Sequence, residues 1–379
     1  MKYKAKLVYI HSDSPNNVRV SKCLQVFAGL FDEVHYIGCV RTGTWNDNEG
    51  INGVKYHIDR RTARRGIRGL ATSLRFTAYV KEQLQEISPD VVIATNEDYV
   101  LPFMVGYCKR PPVLICDLID SLSIRTVDAL RYLNPLWSSL SRSALHSVDG
   151  LVEVTDERLA RHKKIPKHHV VIFNSPPAMP LTPRANLPEK FIYVCGSILD
   201  DVSGVEALLA ACEKVEDASI VFAGRPIGPW MMNSFLKHPL VTNLGETTPR
   251  GSMEIAAAAT AMFAHYKPFV ENHIYAAPNK LFDAMMVGIP LMINSECLVS
   301  EFAKKTGFGI PTRFGNIEEL ESAIRSVYVP NERLVAGCKH ARALFETQYS
   351  WQHMEERWTA FFNGLLGVKN EVHASVDIS

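Results

Sequence analysis

No stretch of this 379-residue chain approaches the ~18 uncharged apolar residues that a membrane-spanning helix needs. The first apolar run stops at His11, Ser12 and Asp13, too short for the hydrophobic region of a signal peptide, and reads instead as a strand. Neither sign of charge is in excess: Lys and Arg number 41 against 40 Asp and Glu, a net charge of +1. That balance excludes a nucleic-acid coat or an acidic tail, so nucleic acid is not expected among the partners. The 8 cysteines form no C-x-x-C pair and the histidines do not pair at metal spacing, which removes a zinc site and a disulfide framework. Scattered thiols inside apolar runs fit a reducing compartment, and the expected location is the cytoplasm. Solenoid-length repeats and low-complexity tracts are also missing.

What is present is alternation. Short apolar runs at residues 7–10, 33–38, 54–58, 90–95, 113–116, 150–154 and 170–173 are separated by helix-period segments near 17, 65–84, 99–108, 135–146 and 156–162. Five prolines within 175–188 then interrupt the pattern, because proline neither pairs in a sheet interior nor continues a helix. Alternation resumes with runs at 191–195, 219–222, 261–264 and 291–293 and helices near 205–215, 279, 317–327 and 334–347. The expected class is α/β, with two doubly wound parallel sheets: one domain over 1–174, a linker over 175–188 and a second domain over 189–347. Residues 348–367 form an amphipathic helix in which Trp351, Met354, Trp358 and Phe361 or Phe362 recur at helical spacing, an aromatic stripe of the kind that packs into a core, and 368–379 read as a frayed tail.

The segment from Tyr266 to Pro290 carries the most chemistry. Pro278 and Asn279 break the chain and cap a helix, which sets Lys280 in its first turn and Asp283 about one turn on. Free backbone N–H groups and the helix dipole attract an anion there, Lys280 adds a point charge, and Asp283 can accept from a ribose diol. A solvated lysine on an ordinary helix has the same local pattern, so the surroundings decide.

Those surroundings carry a resemblance. The run Pro278-Asn279-Lys280-Leu281-Phe282-Asp283-Ala284-Met285, through Gly288-Ile289-Pro290, resembles the donor-binding signature of GT-B glycosyltransferases, in particular the retaining family four and its bacterial polysaccharide-assembly relatives. Residues 218–224, then 241–246 with Gly245, then 261–266 resemble in order the strands that precede that signature, so the likeness covers most of 190–345. It implies two Rossmann-like domains facing a cleft and a nucleotide-diphosphate sugar held by the second; because a helix dipole, backbone N–H groups and cations can do what a metal does elsewhere, no metal or other cofactor is expected. On this reading Gly196, Ser197, Gly245, Asn279, Lys280, Leu281 and Asp283 contact the donor. Two departures stand out. The family's pair of Glu residues falls here at Tyr275 and Asp283, and the Arg and Lys that usually follow the first glycine of the domain are missing after Gly196. Arg225, directly after a strand, or Lys267 is the source of compensating charge.

The first domain supplies the acceptor side. Residues 113–116 lead into Asp117 and Asp120, which resemble the family's paired acids, and a carboxylate at a strand's carboxyl end can take a hydroxyl proton. Asp120 ranks first and Asp117 second; capping or loop hydrogen bonds account for at least one of them. Glu97 and His11, at two further polar strand ends, are candidate acceptor contacts. Whether transfer inverts or retains stays open. Six arginines in residues 60–75 interleave with apolar residues, and Arg61, Arg64, Arg65 and Arg68 make either a face for anionic lipid or a solvated helix surface.

The expected function is transfer of a sugar to a lipid-linked or oligosaccharide acceptor in cell-surface polysaccharide or glycoconjugate assembly, possible contact with the inner face of the membrane included. The alternatives are a non-catalytic nucleotide-binding partner subunit and a sugar-nucleotide epimerase.

Overall fold

A computed structural model describes residues 2–39, 45, 50–60, 67–122, 124, 134–269, 271–276 and 278–367. The chain divides into two compact units, Met1–Ile172 together with Glu355–Ser379, and Phe173–Met354.

In the first unit the strands are β1 (Tyr3–His11), β2 (Phe31–Cys39), β3 (Val54–Asp59), β4 (Val91–Thr95), β5 (Val113–Leu118), β6 (Gly150–Glu153) and β7 (His168–Val171). Between them lie α1 (Val18–Leu30), α2 (Ile67–Ile87), α3 (Asn96–Met104), α4 (Asn134–His146) and α5 (Asp156–Leu159). The strands make one sheet ordered β3-β2-β1-β4-β5-β6-β7, paired in parallel throughout. Leu7, Val8, Tyr9 and Ile10 are all fully buried, an unbroken apolar run where a half-solvated strand would alternate, because a crossover-connected sheet is covered on both faces. Asn17 starts α1 by accepting the Arg19 N–H at 3.0 Å, the cap that its side chain and position lead one to expect.

The second unit contains β8 (Ile192–Leu199), α6 (Val205–Cys212), β9 (Ile220–Ile227), α7 (Pro229–Asn233), β10 (Val241–Asn243), α8 (Pro249–Ala256), β11 (Ala261–Ala264) and α9 (Glu271–Ile274). It continues with α10 (Asn279–Val287), β12 (Leu291–Asn294), α11 (Val299–Thr306), β13 (Gly309–Thr312), α12 (Ile317–Tyr328), α13 (Glu332–Leu344) and the start of α14 (Trp351–Leu366). Its parallel sheet is ordered β10-β9-β8-β11-β12-β13. Both sheets repeat one winding: three strands run outward one way and the chain then returns to the other side of the first. The reversal falls between β1 and β4 in one unit and between β8 and β11 in the other, and such reversals are where open α/β sheets leave a ligand crevice at their carboxyl edge.

Two local departures from the sequence pattern matter for the site. Strand ends were expected near Cys195 and Phe222, but β8 and β9 continue in register from Ile192 opposite Ile220 to Leu199 opposite Ile227. Helix α3 begins at Asn96, not near Tyr99, and so takes Glu97 into its first turn. The C-terminal aromatic stripe is core: Trp358 and Phe362 are fully buried, with Trp358 edge-on to Phe27 at 5.0 Å and Phe362 edge-on to Phe31 at 4.9 Å. Among the described residues no helix is long and apolar enough to cross a membrane.

Candidate functional site

At the carboxyl edge of the second sheet, two glycines on β8 and β9 and one just after β10 hold positive φ: Gly196 at 92°, Gly224 at 151° and Gly245 at 67°. The Gly224 N–H donates to the Gly245 carbonyl at 2.8 Å, and a Cβ on Gly224 would lie 2.1 Å from the Gly196 carbonyl oxygen. Only bare backbone fits this approach between Gly196 and Gly224, and the result is a lip of closely spaced main chain.

Lys280 reaches this lip. It projects from the first turn of α10, and its Nζ stands 3.8 Å from where a Cβ of Gly196 would be. Nζ also donates to the Tyr266 hydroxyl at 3.3 Å and lies 5.5 Å from that ring's centre. Tyr266 follows β11 and is itself pinned by its N–H, which donates to Asn294 Oδ1 at 3.0 Å. Burial works against the ammonium charge, yet the Tyr266 hydroxyl, the Cys195 sulfur and Asp283 outweigh it, so Lys280 titrates above an ordinary lysine and stays charged. Below the lip, burial pushes the Cys195 thiol up to about 11 while Lys280 draws it down, and the Tyr193 and Ser252 hydroxyls share a 2.8 Å hydrogen bond.

The other donor candidates distribute around this centre. Asp283 is half-buried one turn along α10, and Leu281 is buried on that helix's inner face. Pro278 occupies the cap position without a side-chain bond, and the Asn279 side chain, expected to cap the helix, instead accepts from Asn174 Nδ2 at 3.1 Å. Ser197 and Arg225 are register partners on β8 and β9, both exposed, and the Arg225 guanidinium has no ion pair among the described residues. Lys267 donates its N–H to the Val202 carbonyl at 2.9 Å and holds its ammonium 4.7 Å above the Phe269 ring. Tyr266 was not singled out in the sequence; its only signal was its place, the second residue after a short apolar strand.

In the first unit the structure reassigns two acids. Asp117 is fully buried, with Oδ1 accepting from the Arg19 guanidinium at 2.6 Å and Oδ2 from the Tyr9 hydroxyl at 2.9 Å. Arg19 also donates to the Ile172 carbonyl at 3.0 Å, so the pair ties α1 to β5 and to the chain just after β7. A carboxylate committed to a buried cation and a buried hydroxyl has a structural role in this unit. Glu97 is likewise fully buried; it accepts from Ser121 Oγ at 2.6 Å, from Ser141 Oγ at 2.5 Å and from the Leu122 N–H at 3.1 Å. It anchors the loop after β5.

Asp120 is half-buried on that loop. Asn96, at φ 60°, accepts from the N–H groups of both Ile119 and Asp120 at 2.8 Å, so a left-handed asparagine at the end of β4 shapes the backbone that carries Asp120. His11, half-buried, ends β1 next to the same switch point, its ring 6.1 Å from that of Tyr9. Arg61, Arg64 and Arg65 lie outside the described residues, and of Arg68 only the backbone, in the first turn of α2, is described. Among the described residues no cluster of three His, Cys, Asp or Glu side chains is placed to hold a metal ion.

The arrangement is one fixed cation over a lip of backbone, with a carboxylate a turn away on the same helix. No family model and no curated protein sequence matches this chain. Solved structures do. Sucrose-phosphate synthase from Thermosynechococcus elongatus superposes with a TM-score of 0.73 at 13% identity, covering 97% of this chain and 100% of that one. Anabaena HepE, solved in complex with UDP-glucose, gives 0.70 at 13% identity over 95% of this chain and 100% of its own. WaaG, a glycosyltransferase involved in lipopolysaccharide biosynthesis, gives 0.61 at 13% identity over 94% of this chain and 98% of its own. At such identities the likeness speaks for architecture alone, and what it establishes is that this chain has the GT-B fold of those glycosyltransferases.

Proposed function

We propose that this protein is a glycosyltransferase that moves a sugar from a nucleotide-diphosphate donor, held by the second unit, to a hydroxyl of a lipid-linked or oligosaccharide acceptor held by the first. The observation that carries this reading is the Lys280 ammonium held over Gly196 at the β8/β11 switch point. A diphosphate there would meet a cation and closely spaced glycine backbone, with Asp283 within a turn for the ribose. The leaving diphosphate gains charge as the glycosidic bond breaks, so a preorganised ammonium lowers the barrier as well as binding the ground state. Lys280 supplies that charge without a metal, and Arg225, exposed on β9 beside Ser197, or Lys267 adds to it. UDP-glucose in HepE supports a uridine nucleotide as the first donor to try. With Asp117 and Glu97 locked into the scaffold, Asp120 is the proposed proton acceptor of the first unit. Eight free, buried thiols support a cytoplasmic setting.

Thermal unfolding against UDP, GDP, TDP and CMP sugars tests this reading, since a ligand at 100 times its dissociation constant adds about 2.7 kcal/mol. A shift with one donor class, lost in Lys280→Met, is the expected result. No shift with any of them removes the donor site.

The commitment of Asp117 and Glu97 to structure also favours a second reading, a nucleotide-binding partner subunit without chemistry of its own. Slow hydrolysis of the bound nucleotide sugar separates the two, because a non-catalytic subunit would bind the donor and leave it intact.

A further inference from the structure

The Tyr266 hydroxyl accepts from Lys280 Nζ at 3.3 Å, and among the described residues its own proton has no acceptor. The Tyr266 backbone is held by its N–H, which donates to Asn294 Oδ1, and the ring packs 6.0 Å from that of His273, whose Nδ1 is bonded to the Lys267 carbonyl at 2.7 Å. The phenol is half-buried, so its O–H can meet a ligand that arrives from solvent. It stands directly after β11, at the same switch point as the glycine lip.

We propose that Tyr266 is a second anion-binding residue of the donor site: it takes a hydrogen bond from Lys280 and gives its own to a phosphate oxygen of the bound diphosphate. The inference rests on the donor-site reading above. An O–H group that accepts from a cation is polarised and becomes a better donor, so the lysine and the tyrosine act on the anion as a coupled pair. The same contact holds the long lysine side chain in the one geometry that covers Gly196, which otherwise has to be found among many rotamers. Tyr266 thereby makes the site read phosphate oxygens as such, independently of the nucleoside attached to them.

The test is calorimetric titration of the full chain with UDP, GDP, TDP and CDP, each alongside its nucleoside, for wild type, Tyr266→Phe, Lys280→Met and the double variant. The phenylalanine keeps the ring and its packing, and equal unfolding temperatures of the free proteins confirm that the fold is kept. Tyr266→Phe is expected to weaken the preferred diphosphate about tenfold and the nucleoside less than twofold, with a clearly smaller loss when Lys280 is already Met. Unchanged diphosphate binding in Tyr266→Phe overturns this proposal alone, as does equal weakening of diphosphate and nucleoside or an equal loss in both backgrounds. Wild-type protein that binds none of the diphosphates overturns the donor site itself, and this inference with it.

Discussion

Asp117 Oδ1 accepts from the Arg19 guanidinium at 2.6 Å, and the two residues are 98 apart in the chain. Removing one partner strands the other charge in a fully enclosed site. Asp117→Ala is therefore expected to cost about 3–5 kcal/mol in urea unfolding, while replacing both partners together, Arg19→Met with Asp117→Leu, recovers most of it. A folded, stable Asp117→Ala protein that had lost transfer activity alone would return Asp117 to the chemistry.

Lys280 is the residue on which donor affinity should turn. Lys280→Met keeps the stem and removes the charge, and is expected to weaken nucleotide-diphosphate binding by about 10–100-fold, the range for a charged hydrogen bond or two. Nucleoside binding should move little. Titration calorimetry with UDP and uridine reads the difference directly.

The glycine lip sets backbone strain with a steric clash, at Gly224, against backbone strain alone, at Gly245. A Cβ at Gly224 meets the Gly196 carbonyl at 2.1 Å, whereas at Gly245 it meets nothing within 4 Å. Gly224→Ala should cost more than about 2 kcal/mol, because β8 and β9 must separate, and should weaken diphosphate binding with it. Gly245→Ala carries only the left-handed backbone penalty, about 1 kcal/mol. Chemical unfolding of the two variants side by side gives the ranking.

Acid should destabilise the protein through its buried imidazoles. Burial lowers the pKa of His35, whose ring nitrogens lie 2.9 Å from His57 Nε2 and 3.1 Å from Glu33 Oε1, and lowers that of His57 as well. His265, stacked on Phe263 and bonded to Thr312 at 2.9 Å, is brought down by burial to about 3. Each depressed histidine is neutral in the fold and takes up a proton on unfolding once the pH is below about 6.5. Their stability contribution is complete above that pH and is lost as the pH falls toward each folded value. For His265 alone the slope reaches about 1.4 kcal/mol per pH unit. Urea midpoints at pH 7.5, 6, 5 and 4 should fall more steeply for wild type than for His265→Gln; parallel curves would remove His265 from the account.

The parts of this architecture that could be read in the sequence are those written locally. Leu7 to Ile10 and Ala261 to Ala264 are contiguous apolar runs, and the Pro278–Pro290 signature lies within a single strand-loop-helix step. Strand β13 escaped because Gly309 and Pro311 break its apolar pattern; it lies at the sheet edge, where proline is tolerated. The extension of β8 and β9 escaped because Gly196 and Gly224 look like strand ends until the two backbones are seen to need each other's bareness. Partnerships over long separations were the least legible. Asp117 and Glu97 looked like chemistry because their buried partners, Arg19 from α1 and Ser121 and Ser141 from beyond the next turn, are invisible in a linear reading. Tyr266 was hidden for the same reason, its lysine lying 14 residues away on another element.

The helix α14 has a consequence for how the protein is made. Phe173–Met354 is one uninterrupted stretch, but the first unit needs Glu355 onward to cover Phe27 and Phe31 with Trp358 and Phe362. On the ribosome, the unit whose synthesis starts first must wait for a segment more than 300 residues downstream, while the later one can close as soon as it emerges. Until then Phe27 and Phe31 lack the rings that cover them in the finished unit.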